Sequence, residues 1–188
     1  NGADAVGLLQ EALRLADEEQ RVVVVIEPIA LYHTRDLLAE GDGAWCFTDP
    51  GPEHRLAVGE LGQWGTGRDL AIVTYGNGVY LSRQAAERLQ AEGVALRIVD
   101  LRWLTDIDHD AVHAAVADCA RVLIVDECRR SGSPSEELVT GLVERGLDGR
   151  QVMRLTAEDS FIPLGRAATV TLPAAEDIVV RARELLGR

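Results

Sequence analysis

The stretch LAIVTYGNGVY, from Leu70 to Tyr80, decides the fold. Its first five residues form a β-prone run with no charge, and Gly76-Asn77-Gly78 then supplies a tight turn into helical spacing. The reading is a strand over Leu70 to Thr74 and a helix over Gly78 to Glu92. Working outward toward the C-terminus, strands near Leu96 to Val99, Val122 to Val125 and Val152 to Leu155 alternate with helices. Those helices span Asp106 to Cys119, Pro134 to Arg145 and Ala174 to Leu186. Such alternation predicts crossover connections and an α/β fold of three layers, with a mainly parallel (mixed) sheet of about five strands. The wholly apolar run Val122 to Val125 agrees with burial on both faces. Cap signals mark several helix ends: Ser133, Pro134 and Glu136 read as a capping box, Thr105 and Asp108 as a second cap, and Gly93 and Gly146 as stops.

Toward the N-terminus, Val6, Leu9, Leu13 and Ala16 recur at helical spacing. The β-branched run Val22 to Ile26 follows as a buried strand, and Ile29 to Glu40 as a short helix. Between Gly41 and Gly67 nine glycines and prolines crowd together, which marks a domain boundary. Trp45, Phe47 and Trp64 within it are costly to leave in water, so the connector is expected to be ordered.

The chain has 188 residues, 47% of them apolar, enough for a packed core. Its formal charge of −12 repels phosphate backbones and anionic lipid heads, so neither nucleic acid nor a membrane is an expected partner. All 19 basic residues are Arg, which excludes a Schiff-base lysine and a Walker lysine. Cys46, Cys119 and Cys128 form no paired motif, and a reducing, cytoplasmic location is the default. The longest strongly apolar run is far shorter than the roughly 20 residues that span a bilayer. The sequence opens Asn1-Gly2 and its one Met is Met153, which reads as a processed end or a piece of a longer chain.

Several motifs suggest chemistry and few support it. Gly76-Asn77-Gly78 with Asp100 beyond the next strand imitates a dinucleotide site, but Leu81 stands where the third glycine belongs, so a structural turn is the reading. Gly41-Asp42-Gly43 follows the helical segment Leu37 to Glu40 and reads as a helix stop and turn. His109 and His113 could share a metal on one helix face. The apolar stripe of Ala111, Val112, Ala115, Val116 and Cys119 instead turns both imidazoles toward water. Glu27 ends the first strand without a partner in sequence, and its reading is structural.

Ligands of open parallel sheets collect at the carboxyl ends of strands, which selects the loops Tyr75 to Gly78, Asp100 to Trp103 and Asp126 to Gly132. The third carries Asp126, Glu127, Arg129 and Arg130, a set suited to an interface ion-pair network ahead of an anion site. With Tyr75 and Arg102 from the other two loops, these are the candidate interface residues.

The segments Glu27-Pro28 to Tyr32, Leu70 to Gly76, Ile98 to Leu104, Val122 to Gly132, Arg154 to Asp159, Ile162-Pro163 and Leu172 to Ile178 follow one another in a recognisable order. Together they resemble the beta part of thiamine diphosphate-dependent 2-oxoacid dehydrogenases, over nearly the whole chain. The resemblance implies the end of a pyrimidine-binding domain over residues 1–45, a connector over 46–66, and a transketolase C-terminal-type domain over 67–188. Enzymes of this family decarboxylate a 2-oxo acid and pass the acyl group to lipoyl. Their cofactor-activating glutamate and their diphosphate and magnesium motif lie outside the matching segments. The expectation is therefore a domain for assembly, inactive alone, in which no catalytic, cofactor-binding or metal-ligating residue is expected. Thiamine diphosphate and magnesium belong to the full-length parent.

Expected partners are a second copy, the alpha and pyrimidine-binding parts, and the lipoyl acyltransferase component. Asp126-Glu127 stands where many relatives carry His-Glu, and Asp106 where they carry Pro, which leaves the substrate class open. The alternatives are a nucleotide- or effector-binding α/β domain, and the C-terminal domain of a transketolase or deoxyxylulose phosphate synthase-like enzyme.

Overall fold

The structure is a computed structural model that describes residues 1–147 and 151–188. The chain divides into two compact units, Asn1–Glu60 and Leu61–Arg188.

The first unit opens with α1 (Gly2–Glu18), capped where the Asn1 side chain accepts from the Asp4 amide. Its buried face is not the expected one: Ala12 and Leu15 are buried, whereas Leu9 and Leu13 are exposed. Gly7 allows this, because a Cβ there would stand 2.7 Å from the His54 ring and 2.9 Å from Leu56. The other corrections follow from hydrogen bonding. Val22 to Ile26 is not a strand, and Val22 is 96% exposed. A strand needs a neighbour for its amides and carbonyls, and the first unit holds no strand among its described residues.

Ile29 to Glu40 is not a helix beyond a 3₁₀ turn at Ile29–Leu31. Asp36 takes the amides of Gly41 and Gly43, and Asp42 takes those of Leu37, Leu38, Ala39 and Ala44. Side-chain oxygens that capture these amides leave none for a helical ladder. Gly41-Asp42-Gly43 is thus part of a turn, with no helix for it to stop. Trp45 is buried and meets Phe47 edge-on at 5.6 Å.

The second unit is a five-stranded sheet in the order β1-β3-β2-β4-β5. The strands are β1 (Gly62–Trp64), β2 (Leu70–Thr74), β3 (Leu96–Asp100), β4 (Arg121–Arg129) and β5 (Gln151–Ala157). All pairings are parallel except β1 with β3, so the mixed α/β sheet expected from the sequence is present. β1 was not expected: three residues inside a glycine-rich stretch show no alternation. The helices are α2 (Asn77–Ala91), α3 (His109–Val116), α4 (Pro134–Glu144), the short α5 (Ala168–Thr171) and α6 (Ala175–Leu186).

Period-two alternation splits the strands between two cores. Leu70, Ile72, Ile98, Leu123 and Val125 face α2 and α6 and meet Leu89, Ile178 and Leu185. Ala71, Val73, Val99, Val122 and Ile124 face α3 and α4 and meet Val112, Val116, Leu138 and Leu142. Gly67 lets the chain pass the base of β3, since a Cβ there would lie 2.1 Å from Leu96 N.

Two helix ends differ from expectation. α3 begins only at His109, capped by Asp108 accepting from the Ala111 amide, and Thr105 takes no part. Ser133 does not cap α4, and Glu136 accepts from Gly132 rather than from Ser133. His109 is not turned to water. It lies against Gly141 on α4 and shares a 2.9 Å hydrogen bond with Glu137, because Gly141 leaves room for the ring.

These cores predict a sharp contrast between neighbours on α4. Leu142 is 1% exposed and Val143 is 51% exposed. In urea denaturation Leu142→Ala should remove about 2–5 kcal/mol of stability, and Val143→Ala less than about 0.5 kcal/mol.

Candidate functional site

Chain order places the topological switch between β2 and β4: from β2 the chain crosses to β3 on one side, then returns to β4 on the other. The carboxyl ends of these two strands flank the crevice where such folds bind ligands. Tyr75, Gly76 and Asn77 follow β2 there. Gly76 adopts φ 55°, ψ −129°, which a side chain would resist. Gly78 presses on Thr74, whose Oγ1 would lie 2.1 Å from an added Cβ. Both glycines thus serve the turn itself.

Opposite them β4 carries an irregularity. Asp126 pairs with Thr156 and Arg129 with Ala157, so Glu127 and Cys128 are extra residues on β4. The bulge lets Asp126 accept from the Cys128 amide at 2.8 Å. Tyr75 Oη donates to the same Asp126 oxygen at 2.5 Å, and the Ser135 amide in the first turn of α4 donates to the other at 3.1 Å. Asp126 is 1% exposed. Burial pushes its pKa up, but Tyr75, the Cys128 amide, Ser135 and Ser133 outweigh it and hold the carboxyl below its ordinary value. Burial and the bond to Asp126 drive the Tyr75 phenol upward. Tyr75 and Asp126 therefore keep their ordinary charge states, neutral and anionic, at neutral pH.

Beside this knot Asn77 Nδ2 donates to Glu127 Oε1 at 2.7 Å. Burial, with the neighbouring Asp126 charge, raises the Glu127 carboxyl against the pull of Asn77. Asn77 enters the sequence reading only as part of the Gly76-Asn77-Gly78 turn, not as a partner of Glu127, and Ser135 is not singled out there. Asn77 stands in the strand-to-helix turn opposite the acidic pair, and Ser135 at the second position of α4, each a place where a polar side chain or free amide is to be expected.

The remaining candidates lie apart from the knot. Arg102 has φ +59°; its amide donates to Asp100 Oδ1 and its guanidinium to the Leu61 carbonyl. Asp100 is buried, held by that turn at the end of β3. Arg129 is exposed and donates to the Ser131 carbonyl. Arg130 is exposed, and its carbonyl accepts from Arg154. Ser131 is tied by amide and hydroxyl to Asp159.

The Gly41-Asp42-Gly43 turn does not fit a diphosphate and magnesium motif. Both oxygens of Asp42 accept two backbone amides each, which fills the lone pairs a cation would need. Those amides, Ala44 foremost, hold the Asp42 carboxyl well below the usual carboxylate range. No group of three or more His, Cys, Asp or Glu among the described residues is placed to hold a metal. No described helix is long and apolar enough to cross a membrane.

The two acids should respond to pH with opposite sign. Asp126 has a lowered folded pKa, so its contribution is complete above the unfolded value of about 4 and is lost as pH falls through the folded value. Glu127 is raised, so its ionisation costs stability as pH climbs past about 4.3. In urea titrations from pH 3 to 8, Asp126→Asn should lose about 2–3 kcal/mol at neutral pH and flatten the acid limb. Glu127→Gln should match the wild type near pH 3 and exceed it at pH 7.

The family described as Transketolase, C-terminal domain, matches residues 61–178. The beta subunit of the pyruvate dehydrogenase E1 component of Staphylococcus aureus is 32% identical over 187 residues. The Bacillus subtilis beta subunit is 31% identical over 188 residues. Each match covers 97% of this chain and 53% of the relative, so the chain spans about half the length of the curated relatives it matches. Among solved structures, a split-gene transketolase described as an inactive beta4 tetramer superposes with a TM-score of 0.63 at 24% identity, covering 73% of this chain and 44% of that one. A 2-oxoglutarate:ferredoxin oxidoreductase from Magnetococcus marinus gives a TM-score of 0.51 at 20% identity, covering 67% of this chain and 19% of that one. These two likenesses show the fold. The five-stranded mixed sheet and the match to its residues from Leu61 to Ile178 make this chain a member of the transketolase C-terminal domain family.

Proposed function

We propose that this chain is the C-terminal, assembly-bearing part of the beta component of a thiamine diphosphate-dependent 2-oxoacid dehydrogenase. The parent enzyme decarboxylates a 2-oxo acid and transfers the acyl group to lipoyl, using thiamine diphosphate and magnesium held by other parts. The observation that carries this reading is the match to pyruvate dehydrogenase E1 beta subunits along 97% of the chain. The switch-point crevice supports it, because Tyr75, Asp126, Asn77 and Glu127 spend their polar groups on one another. In this reading residues 1–45 close a pyrimidine-binding domain and 46–66 connect it to the C-terminal domain. Tyr75, Arg102, Asp126 and Glu127 shape the loops of an interface to which Arg129 and Arg130 bring exposed guanidinium groups. The partners are a second copy, the alpha and pyrimidine-binding parts, and a lipoyl acyltransferase component, and the enzyme works in the cytoplasm.

Exposed apolar side chains give the assembly a driving force. Val22, Val24 and Ile26 in the first unit, and Phe161, Leu164 and Val170 in the second, are each more than three-quarters exposed. Light scattering across the micromolar range should find dimers or larger species, and a strict monomer would count against assembly. Calorimetry should give no heat with thiamine diphosphate plus magnesium, and none with adenine nucleotides. Tight nucleotide binding would instead favour an effector-binding domain that uses the Gly76 turn.

A further inference from the structure

α2 buries one face, with Val79, Ser82, Ala85, Ala86 and Leu89, and turns the opposite stripe outward. Helical spacing puts Tyr80, Arg83, Gln84 and Glu87 on that stripe. Tyr80, Arg83 and Gln84 are half-buried and Glu87 is exposed. Arg83 lies over the Trp64 ring of β1, its guanidinium carbon 5.7 Å from the ring centre, within reach of a cation–π attraction. Trp, Tyr and Arg are the residues in which protein interfaces most often concentrate their binding energy.

The charges on this stripe are unmatched. Arg88, further along the same helix, pairs with Glu176. Arg83 has no carboxylate partner among the described residues; burial pulls its pKa below the ordinary value and no neighbouring charge offsets that. Glu87, one turn on, likewise has no ion pair among them. The two do not serve each other, because an arginine four residues before a glutamate is the poorer order for a helical pair, and Trp64 holds the guanidinium. A half-buried cation and an exposed acid one turn apart make a patch complementary to its own image. When two such helices cross antiparallel about a two-fold axis, each position 83 comes opposite position 87 of the other. An unrelated partner would have to bring both charges at this spacing; a second copy brings them by symmetry.

We propose that the outer face of α2, with Trp64 beside it, is a two-fold interface between copies of this chain, in which each Arg83 meets the partner's Glu87. Tyr80 then comes opposite the partner's Gln90, and Gln84 lies at the axis. The net charge of −12 on each copy opposes the encounter. At physiological salt that repulsion is screened beyond about 8 Å, whereas half-buried pairs in direct contact are screened much less. The second copy, already read as a partner, thereby receives its place on the molecule, and the interface rests on that reading.

Sedimentation equilibrium of the full 188-residue chain at about 0.15 M salt is the test. The unaltered chain should dimerise. Arg83→Glu sets acid against acid at both contacts, and Glu87→Arg sets base against base, so each variant alone should raise the dimer dissociation constant about tenfold or more. Glu87→Arg changes an exposed residue and should leave the circular dichroism spectrum as it is. Mixed in equal amounts, the two variants restore an acid and a base at both contacts, and heterodimers should recover most of the lost affinity. Undiminished affinity in Glu87→Arg, or no recovery in the mixture, would overturn the proposal. A dimer indifferent to both reversals would leave the second copy as a partner through another face, whereas a strict monomer would end both readings.

Discussion

A buried carboxylate satisfied by neutral donors is the constraint on which the second unit closes. Asp126 ends the buried part of β4, and its donors come from three places: the Tyr75 hydroxyl beyond β2, the Cys128 amide in the bulge, and the Ser135 amide at the start of α4. An ionised group taken out of water costs several kcal/mol unless it is fully bonded, so the acid tolerates only a narrow arrangement of the three. It also sits at the positive end of the α4 dipole, which further favours the charge. One side chain thereby fixes the spacing of β2 and β4, the form of the bulge, and the angle at which α4 leaves the sheet.

That constraint bears directly on function. In open α/β sheets the crevice between the diverging strands is free for a ligand because its lining groups turn outward. Here they turn toward each other, Tyr75 to Asp126 and Asn77 to Glu127. A ligand entering at this point would have to break bonds to a buried anion before making any of its own. Asp100, the acid a dinucleotide reading would assign to a ribose, is buried and engaged by the Arg102 amide. Of the residues that look like chemistry in the sequence, Tyr75, Asp100 and Asp126 are thus engaged in holding the ends of the strands.

How much of this is legible in the sequence depends on the range of the interaction that decides it. Strands β2 to β5 and the helices between them are visible because β-branched runs and helical spacing are local, and Gly93 and Gly146 mark helix ends by their need for positive φ. The pairing of Tyr75 with Asp126 spans 51 residues and leaves no local trace. The reading of Ser133 as a cap failed because the helix recruits Asp126 from β4 to do that work. Val22 to Ile26 reads as a strand since its composition is that of one; strand formation also needs an edge to pair with, which composition does not report. The face of α1 was misjudged for a similar reason, because Gly7 rather than a large apolar residue decides which side His54 and Leu56 can approach.

The exclusive use of arginine, which in the sequence only removes chemistry, has a positive counterpart in the structure. Arg97 is 8% exposed on β3. Its guanidinium bonds the carbonyls of Thr66, Gly67 and Ala115 together with the carboxylate of Asp118. A lysine ammonium has three donors on a flexible stem and cannot span four acceptors in one plane. The same Gly67 that lets the chain pass against Leu96 offers its carbonyl to Arg97, so close backbone approach and the cation reinforce each other. The segment entering β2 and the end of α3 are thereby fastened to β3 through polar bonds as well as through the buried Val116. Such fastening gives the segment entering β2 and the end of α3 a fixed frame.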